Sequence, residues 1–225
     1  MKNLLSAAAA ALLSLGAAGA SAQSNTVYVG GAYIDVHSRA PALSGGQALP
    51  APGAQIEVDD ASTVGFGYTY RFTPAWSVEA ALGIPPRHKT YGRGFIEPFG
   101  QISSVKQVAP TVLVNYHFSP MAKVEPFVGV GINYTHFTGA RSTASGEAAS
   151  GGPTKIELSD SWGLAAHVGA SYAIDKAWSI VGTIAYADVK SDLKATTTTA
   201  SGDVVRTTHI KFNPVAYTLC VGYSF

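Results

Sequence analysis

Beyond residue 23 the dominant spacing of apolar side chains is two, the period of a strand whose successive residues point to opposite faces. From 62 to 72, Val64, Phe66, Tyr68, Tyr70 and Phe72 fall on one face, and Gly65, Gly67, Thr69 and Arg71 on the other. The division recurs from 124 to 137, where Val128, Val130, Ile132 and Tyr134 oppose Gly129, Gly131, Asn133 and Thr135. From 162 to 174 it sets Trp162, Leu164, Ala166, Val168, Ala170, Tyr172 and Ile174 against Gly163, Ala165, His167, Gly169 and Ser171. The last segment alternates Val215, Tyr217, Leu219, Val221, Tyr223 and Phe225 with Ala216, Thr218, Cys220, Gly222 and Ser224. Further segments at about 26–37, 76–84, 106–118 and 178–190 bring the predicted strands to eight. In the first of these, Tyr28, Tyr33 and Ile34 do not share a face, and a slip of one residue would invert it.

The connections alternate in length. Thr73-Pro74-Ala75, Ser119-Pro120-Met121-Ala122-Lys123 and Asp175-Lys176-Ala177 are short turns. Between them run long polar segments rich in Gly and Thr, at about 38–61, 85–105, 138–154 and 191–206. No helix, second domain or long-period repeat is predicted. An even number of strands, joined by short turns at one end and long loops at the other, is the plan of a bacterial membrane barrel.

The residues opposite the apolar face distinguish this plan from a soluble sandwich. A sandwich turns Lys, Glu and Gln to water. Here the second face is Gly, Ala, Ser and Thr, with an occasional Asn, His, Glu or Arg, which suits the cramped interior of an eight-stranded barrel. The greasy face is then the one that meets lipid. Tyr70, Phe72, Trp76, Tyr116, Phe118, Tyr172, Trp178, Tyr223 and Phe225 all fall near the short turns or the C-terminus, drawing an aromatic girdle at one membrane edge. The expected fold is an all-β, eight-stranded, antiparallel, up-and-down transmembrane barrel with periplasmic turns and extracellular loops.

The first residues supply the route to that membrane. Lys2, an apolar stretch from Leu4 to Ala20 and the small-residue site Ala20-Ser21-Ala22 read as a secretory signal peptide over 1–22, leaving 23–225 as the barrel domain. No other stretch offers the roughly 18 apolar residues of a spanning helix. Charged residues are 13% of the chain, against about 25% in a soluble domain. A net charge of +1 gives no clustered basic surface for nucleic acid. The single cysteine, Cys220, cannot form an internal disulfide.

Several ordered motifs carry a family resemblance. Pro110-Thr111, the run from Pro126 to Tyr134, Asp160-Ser161-Trp162-Gly163, Asp175 followed by Trp178, and the terminal Gly222-Tyr223-Ser224-Phe225 together resemble the outer membrane protein W (OmpW) family, as does Ile84-Pro85-Pro86-Arg87-His88. The resemblance implies an outer-membrane barrel with a narrow, largely hydrophobic interior. It also implies passive movement of small, often hydrophobic, molecules across the outer membrane, with weak ion conduction in some members. It places the family's bulky interior constriction at Ala80 and Ala185, where small residues stand.

Candidate residues follow from the inner face. The lumen set is Thr69, Arg71, Glu79, Thr111, Leu113, Asn115, His117, Asn133, His167, Val181 and Thr183, to which the family resemblance adds Ala80 and Ala185. Apolar Leu113 and Val181 in so small a lumen disfavour a continuous water column. Pro110 and Pro214 cannot donate a ladder hydrogen bond and mark places where the wall could open sideways to lipid. Tyr223 and Phe225, closing the last strand, look like the signal read by the outer-membrane assembly machinery. The other expected partners are outer-membrane lipid, lipopolysaccharide and small hydrophobic solutes. Six histidines are scattered without metal-ligand spacing, and the Glu57, Asp59 and Asp60 cluster reads as a solvated loop face, so no metal, cofactor or catalytic residue is expected. Two other functions fit the same pattern: a weak ion-conducting pore, and a structural or receptor barrel acting through its loops.

Overall fold

A β-branched or aromatic residue at every second position favours the extended chain, and only a closed ring of such strands satisfies every backbone group within lipid. The computed structural model describes residues 25–46 and 51–225, so the expected leader lies outside the described residues. Its elements are β1 (Asn25–Asp35), β2 (Ala54–Val58), β3 (Ala61–Arg71), β4 (Trp76–Gly83), β5 (Arg87–Gly94), a single 3-10 turn (Glu97–Phe99), β6 (Gln101–Val108), β7 (Thr111–His117), β8 (Val124–Ser142), α1 (Ala144–Ser150), β9 (Thr154–Leu158), β10 (Ser161–Ala173), β11 (Trp178–Ala187), β12 (Lys190–Thr199), β13 (Gly202–Lys211) and β14 (Val215–Ser224).

Eight of these form the barrel: β1, β3, β4, β7, β8, β10, β11 and β14, each antiparallel to the next, with β1 pairing β14 to close the ring. The closure continues to the chain end, where Phe225 N donates to Asn25 O at 2.9 Å. Register settles the ambiguous first strand. Val27, Val29 and Tyr33 point outward and are exposed, while Tyr28 turns inward and bonds Glu79. The short turns are fixed by their own side chains. Asp175 Oδ1 accepts from Ala177 N and Trp178 N at 2.8 Å each, and Thr73 Oγ1 accepts from Trp76 N at 3.0 Å.

The long segments differ from expectation: they are not plain polar loops. β8 runs past the barrel and pairs with β6, β6 with β5, and β5 with β2, while β9, β12 and β13 make a separate three-stranded sheet. The predicted strand at 106–118 is divided at Ala109 and Pro110 into the end of β6 and the whole of β7. A helix that the sequence did not suggest, α1, starts where Thr143 Oγ1 accepts from Gly146 N at 3.0 Å and stops at Gly151 with φ 87°. Together these pieces form a cap with its own apolar core, made of Ile56, Val58, Val105, Phe137, Val189, Leu193, Ile210 and Phe212 among others. The rings of Phe137 and Phe212 stack at 5.1 Å.

Candidate functional site

The site is the barrel interior. A cavity of about 500 Å³ runs along it, from Val189 and Pro214 under the cap to Asp175 and Lys176 at the opposite turn. Thr111, Leu113, Asn115, His167, Val181 and Ala185 all line it, as do Thr69, Arg71, Glu79, His117, Asn133 and Thr183. Ala80 does not. It lies opposite Val112 and Tyr68 on the outward face, and its neighbour Ala81 borders the cavity in its place. The alternation that puts Glu79 inside turns Ala80 outward, so the misplacement came from the family resemblance and not from the pattern of the strand.

Mid-barrel, a chain of hydrogen bonds crosses the lumen. His167 Nε2 donates to Asn115 Oδ1 at 2.8 Å, Asn115 Nδ2 to Glu79 Oε2 at 2.7 Å, and Tyr28 Oη to Glu79 Oε1 at 2.5 Å. These four residues sit on β10, β7, β4 and β1, so two of the three links, His167 to Asn115 and Tyr28 to Glu79, each skip over an intervening strand. Nearer the short turns, Arg71 pairs with Glu125 Oε1 at 2.5 Å, and His117 Nδ1 lies 2.8 Å from both Arg71 Nη2 and Glu125 Oε1. Ser77 Oγ holds the other nitrogen of His117 at 2.8 Å. Buried charge is tolerable only when so fully partnered.

Small residues make room for these groups. A Cβ on Gly129 would collide with Asn115 Oδ1 and His167 Nε2, and one on Gly67 with the Tyr28 hydroxyl. Above the polar layer the lining is mostly small and apolar: Ala81, Ala109, Ala165, Ala185, Ala187 and Ala216. Sequence parity located Glu79 and Arg71 but missed Tyr28, Ser77 and Glu125. Their roles depend on which rows meet across the lumen, which no single strand reveals.

The wall has one interruption. The β4–β7 ladder ends at Ala81 opposite Thr111, and the β5–β6 ladder begins at Arg87 opposite Lys106. Pro85, Pro86 and Pro110 fall between and have no N–H to give. Ile84 bonds away from the gap, its N to Val64 O at 2.9 Å and its O accepting from Thr63 Oγ1 at 2.6 Å. The bond that bridges the stretch runs from Gln107 N to Pro86 O at 3.1 Å. Gly83, Pro86, Gln107 and Ala109 border the cavity at this level, and so do Phe66 and Leu82 from the outward face.

Pro214 behaves otherwise. Ala187 N donates to Pro214 O at 3.4 Å and Phe212 N to Val189 O at 2.9 Å, carrying the ladder on into the cap. It borders the cavity, but the opening expected beside it is bridged.

The remaining candidates lie apart from the lumen. Tyr223 and Phe225 are exposed on the girdle, with Trp178 4.9 Å from Tyr223. Glu57 pairs with Arg93 at 2.6 Å, and Asp60 accepts from Tyr33 Oη and Val36 N. The hydroxyl of Tyr33, then the Val36 amide, hold the Asp60 carboxyl below the usual range. His88 Nδ1 donates to Asp59 O at 3.0 Å within the cap, and burial pushes its pKa down. Among the described residues no group of three or more His, Cys, Asp or Glu could hold a metal ion.

The chain is similar to known proteins. The model of the OmpW family matches residues 27–225. Outer membrane protein W of Vibrio cholerae is 30% identical over 174 residues, covering 76% of this chain and 77% of that protein. The dibenzothiophene metabolism operon protein PahQ of Pseudomonas aeruginosa is 29% identical over 168 residues, 74% of each chain. The crystal structure of the outer membrane protein OprG from Pseudomonas aeruginosa superposes with a TM-score of 0.81 at 25% identity, covering 92% of this chain and 98% of that one.

Proposed function

The chain belongs to the OmpW family of outer-membrane β-barrels, and from that premise we propose that it lets small hydrophobic molecules cross the outer membrane passively, releasing them sideways through the barrel wall. The observation that carries the reading is the conjunction of an alanine-lined upper lumen with the broken ladder beside it. A hydrophobic solute gains by leaving water for such a lining, roughly 25 cal/mol for each Å² buried. It would then meet the ring of partnered charges on Glu79, Arg71 and Glu125, which it cannot solvate. The wall at residues 83–86 and 107–110 offers the alternative of lipid. The name of the relative PahQ, a dibenzothiophene metabolism operon protein, points to the same class of apolar compound.

The test is uptake of a radiolabelled hydrophobic compound by cells with and without the protein, and with the upper lumen filled by Ala185→Trp together with Ala165→Trp. Expression raises uptake on this reading, and the filled variant returns it to the background of cells lacking the protein. Equal uptake by the filled and unfilled proteins would sink it.

A second reading, axial passage of small polar solutes or ions, is favoured by the extension of the cavity lining to Asp175 and Lys176. Planar bilayers separate the two. Lateral release predicts no steady ohmic current, and axial passage predicts one.

A further inference from the structure

Above the gap in the wall, the outer surface of the sheet gathers cations without a carboxylate. Arg87 on β5 stands directly opposite Lys106 on β6. On the far side of β6, Lys106 faces Thr138 and Ser104 faces Arg141, both on β8. The Arg87 guanidinium reaches across β6, donating to Ser104 Oγ at 3.0 Å and to Gly139 O at 3.4 Å, so it settles between Lys106 and Arg141. All three side chains are exposed. Among the described residues, none of the ion pairs involves them. Like charges directly opposed across a ladder destabilise it, and among the described residues no ion pair offsets this one.

Register fixes the height of this cluster. Tyr134 on β8, its ring 4.7 Å from that of Trp162, marks where the acyl chains end and the headgroup layer begins at the outer edge of the barrel. The Lys106–Thr138 rung lies a further four residues along β8, about 13 Å of strand. That is above the acyl chains and at the level of anionic headgroups. We propose that Arg87, Lys106 and Arg141 bind the phosphate groups of lipopolysaccharide in the outer leaflet. A phosphate accepts from a guanidinium fork and an ammonium together, and its charge relieves the repulsion that the three cations impose on one another. The acyl chains of that lipid then run down past exposed Ile84, over the outer side of the wall gap.

The cation pair on the other side of the cap differs. Lys190 opposes Lys211 in the same way, but Asp188 holds Lys190 at 2.6 Å. It serves as the control.

Native mass spectrometry of the detergent-solubilised full chain, titrated with purified lipopolysaccharide, tests the proposal. The triple variant Arg87→Gln, Lys106→Gln, Arg141→Gln should bind about 100-fold more weakly, near five-fold for each cation, and the control Lys190→Gln, Lys211→Gln within about three-fold of the wild type. Lipopolysaccharide stripped of its lipid A phosphates should bind the wild type no better than the intact lipid binds the triple variant. Unchanged affinity in the triple variant, an equal loss in the control, or full binding of the dephosphorylated lipid would overturn the site. Inorganic phosphate binding as tightly as the lipid would overturn the assignment to a lipid. Should the triple variant fail to fold, Lys106→Gln alone, which breaks no hydrogen bond, must show the five-fold loss, and an unaltered affinity there refutes the proposal.

Discussion

The barrel and the cap are built partly from the same strands, yet their chemistry is reversed between inside and outside. Along β8 the outward side chains change from Val128, Val130 and Ile132, all exposed, to Thr138 and Arg141. Over the same stretch the inward ones change from Asn133 and Thr135 to Phe137, which is buried in the cap core. The last strands repeat the exchange. Tyr217 and Leu219 face out below Pro214, whereas Lys211 and His209 face out above it, with Ile210 and Phe212 buried behind them. Along β8 a single strand spans both regions, with one register shift beside β6, and the surrounding medium is what changes. Where lipid lies outside, greasy residues serve as the surface and polar ones must find partners within; where water lies outside, the ordinary arrangement returns. The rung at which the faces exchange, near Tyr134 and His136, is where the acyl chains end on the outer side.

The comparison can be broken at several points. The largest effect belongs to the cap core. Phe212→Ala removes the ring stacked on Phe137 and should cost the cap about 3–5 kcal/mol, read as faster proteolysis of the extracellular segments, while the folded barrel keeps its compact migration on unboiled gels. Loss of barrel and cap together would show them to be one cooperative unit. Next comes the lipid face. Val130→Arg, at a position 67% exposed, should lose about 2–4 kcal/mol in urea titrations from vesicles. The same change at Val205 in the cap, 40% exposed, should stay within about 0.5 kcal/mol. Equal costs at the two sites would erase the distinction between lipid and water.

Inside the barrel, Asn115→Ala strands both Glu79 and His167 and should cost about 1–3 kcal/mol in the same vesicle titration. An unchanged midpoint would mean that water replaces the amide without loss. The smallest effect sits at the boundary. Asp160 accepts from Tyr134 Oη at 2.6 Å and lies 2.7 Å from His136 Nδ1, and these contacts, the tyrosine's first, hold its carboxyl below the usual range. Because the folded pKa is the lower one, the stabilisation is complete above the ordinary aspartate value near 4 and fades as pH falls through the folded value. Hydrogen exchange of the amides flanking Asp160 should therefore quicken only in acid, and Asp160→Asn should flatten that dependence.

The barrel was legible in the sequence because lipid enforces the alternation at every exposed position: a charge at Val130 or Leu219 is excluded, so the period of two stays clean. The cap escaped notice for the complementary reason. Its segments at 54–58 and 208–212 also alternate, but water lets Gln55, Glu57, His209 and Lys211 occupy the outer face, and the stretches read as polar loops. Within the lumen, parity predicted the lining at Thr111, Leu113, Asn115, His167 and Val181, and the family resemblance added Ala185. The resemblance misplaced Ala80, whose neighbour Glu79 parity had already put inside. Parity named Glu79 without Tyr28, because their meeting depends on barrel closure between β1 and β14. The wall gap was half visible: Pro110 announced it, and the companion break at Pro85 and Pro86 appears only when the two strands are set side by side.

Lateral release is the claim on which the functional reading turns, and tying the gap shut tests it most directly. Extending the β4–β7 register sets Gly83 against Ala109, both bordering the cavity. In a Cys220→Ser background, which removes the one native thiol, Gly83→Cys and Ala109→Cys can be joined by oxidation or by a short bis-maleimide. Joining the two residues should abolish uptake of a labelled hydrophobic compound, and reducing the disulfide should restore it. Uptake that is the same with the wall tied and untied would contradict the account.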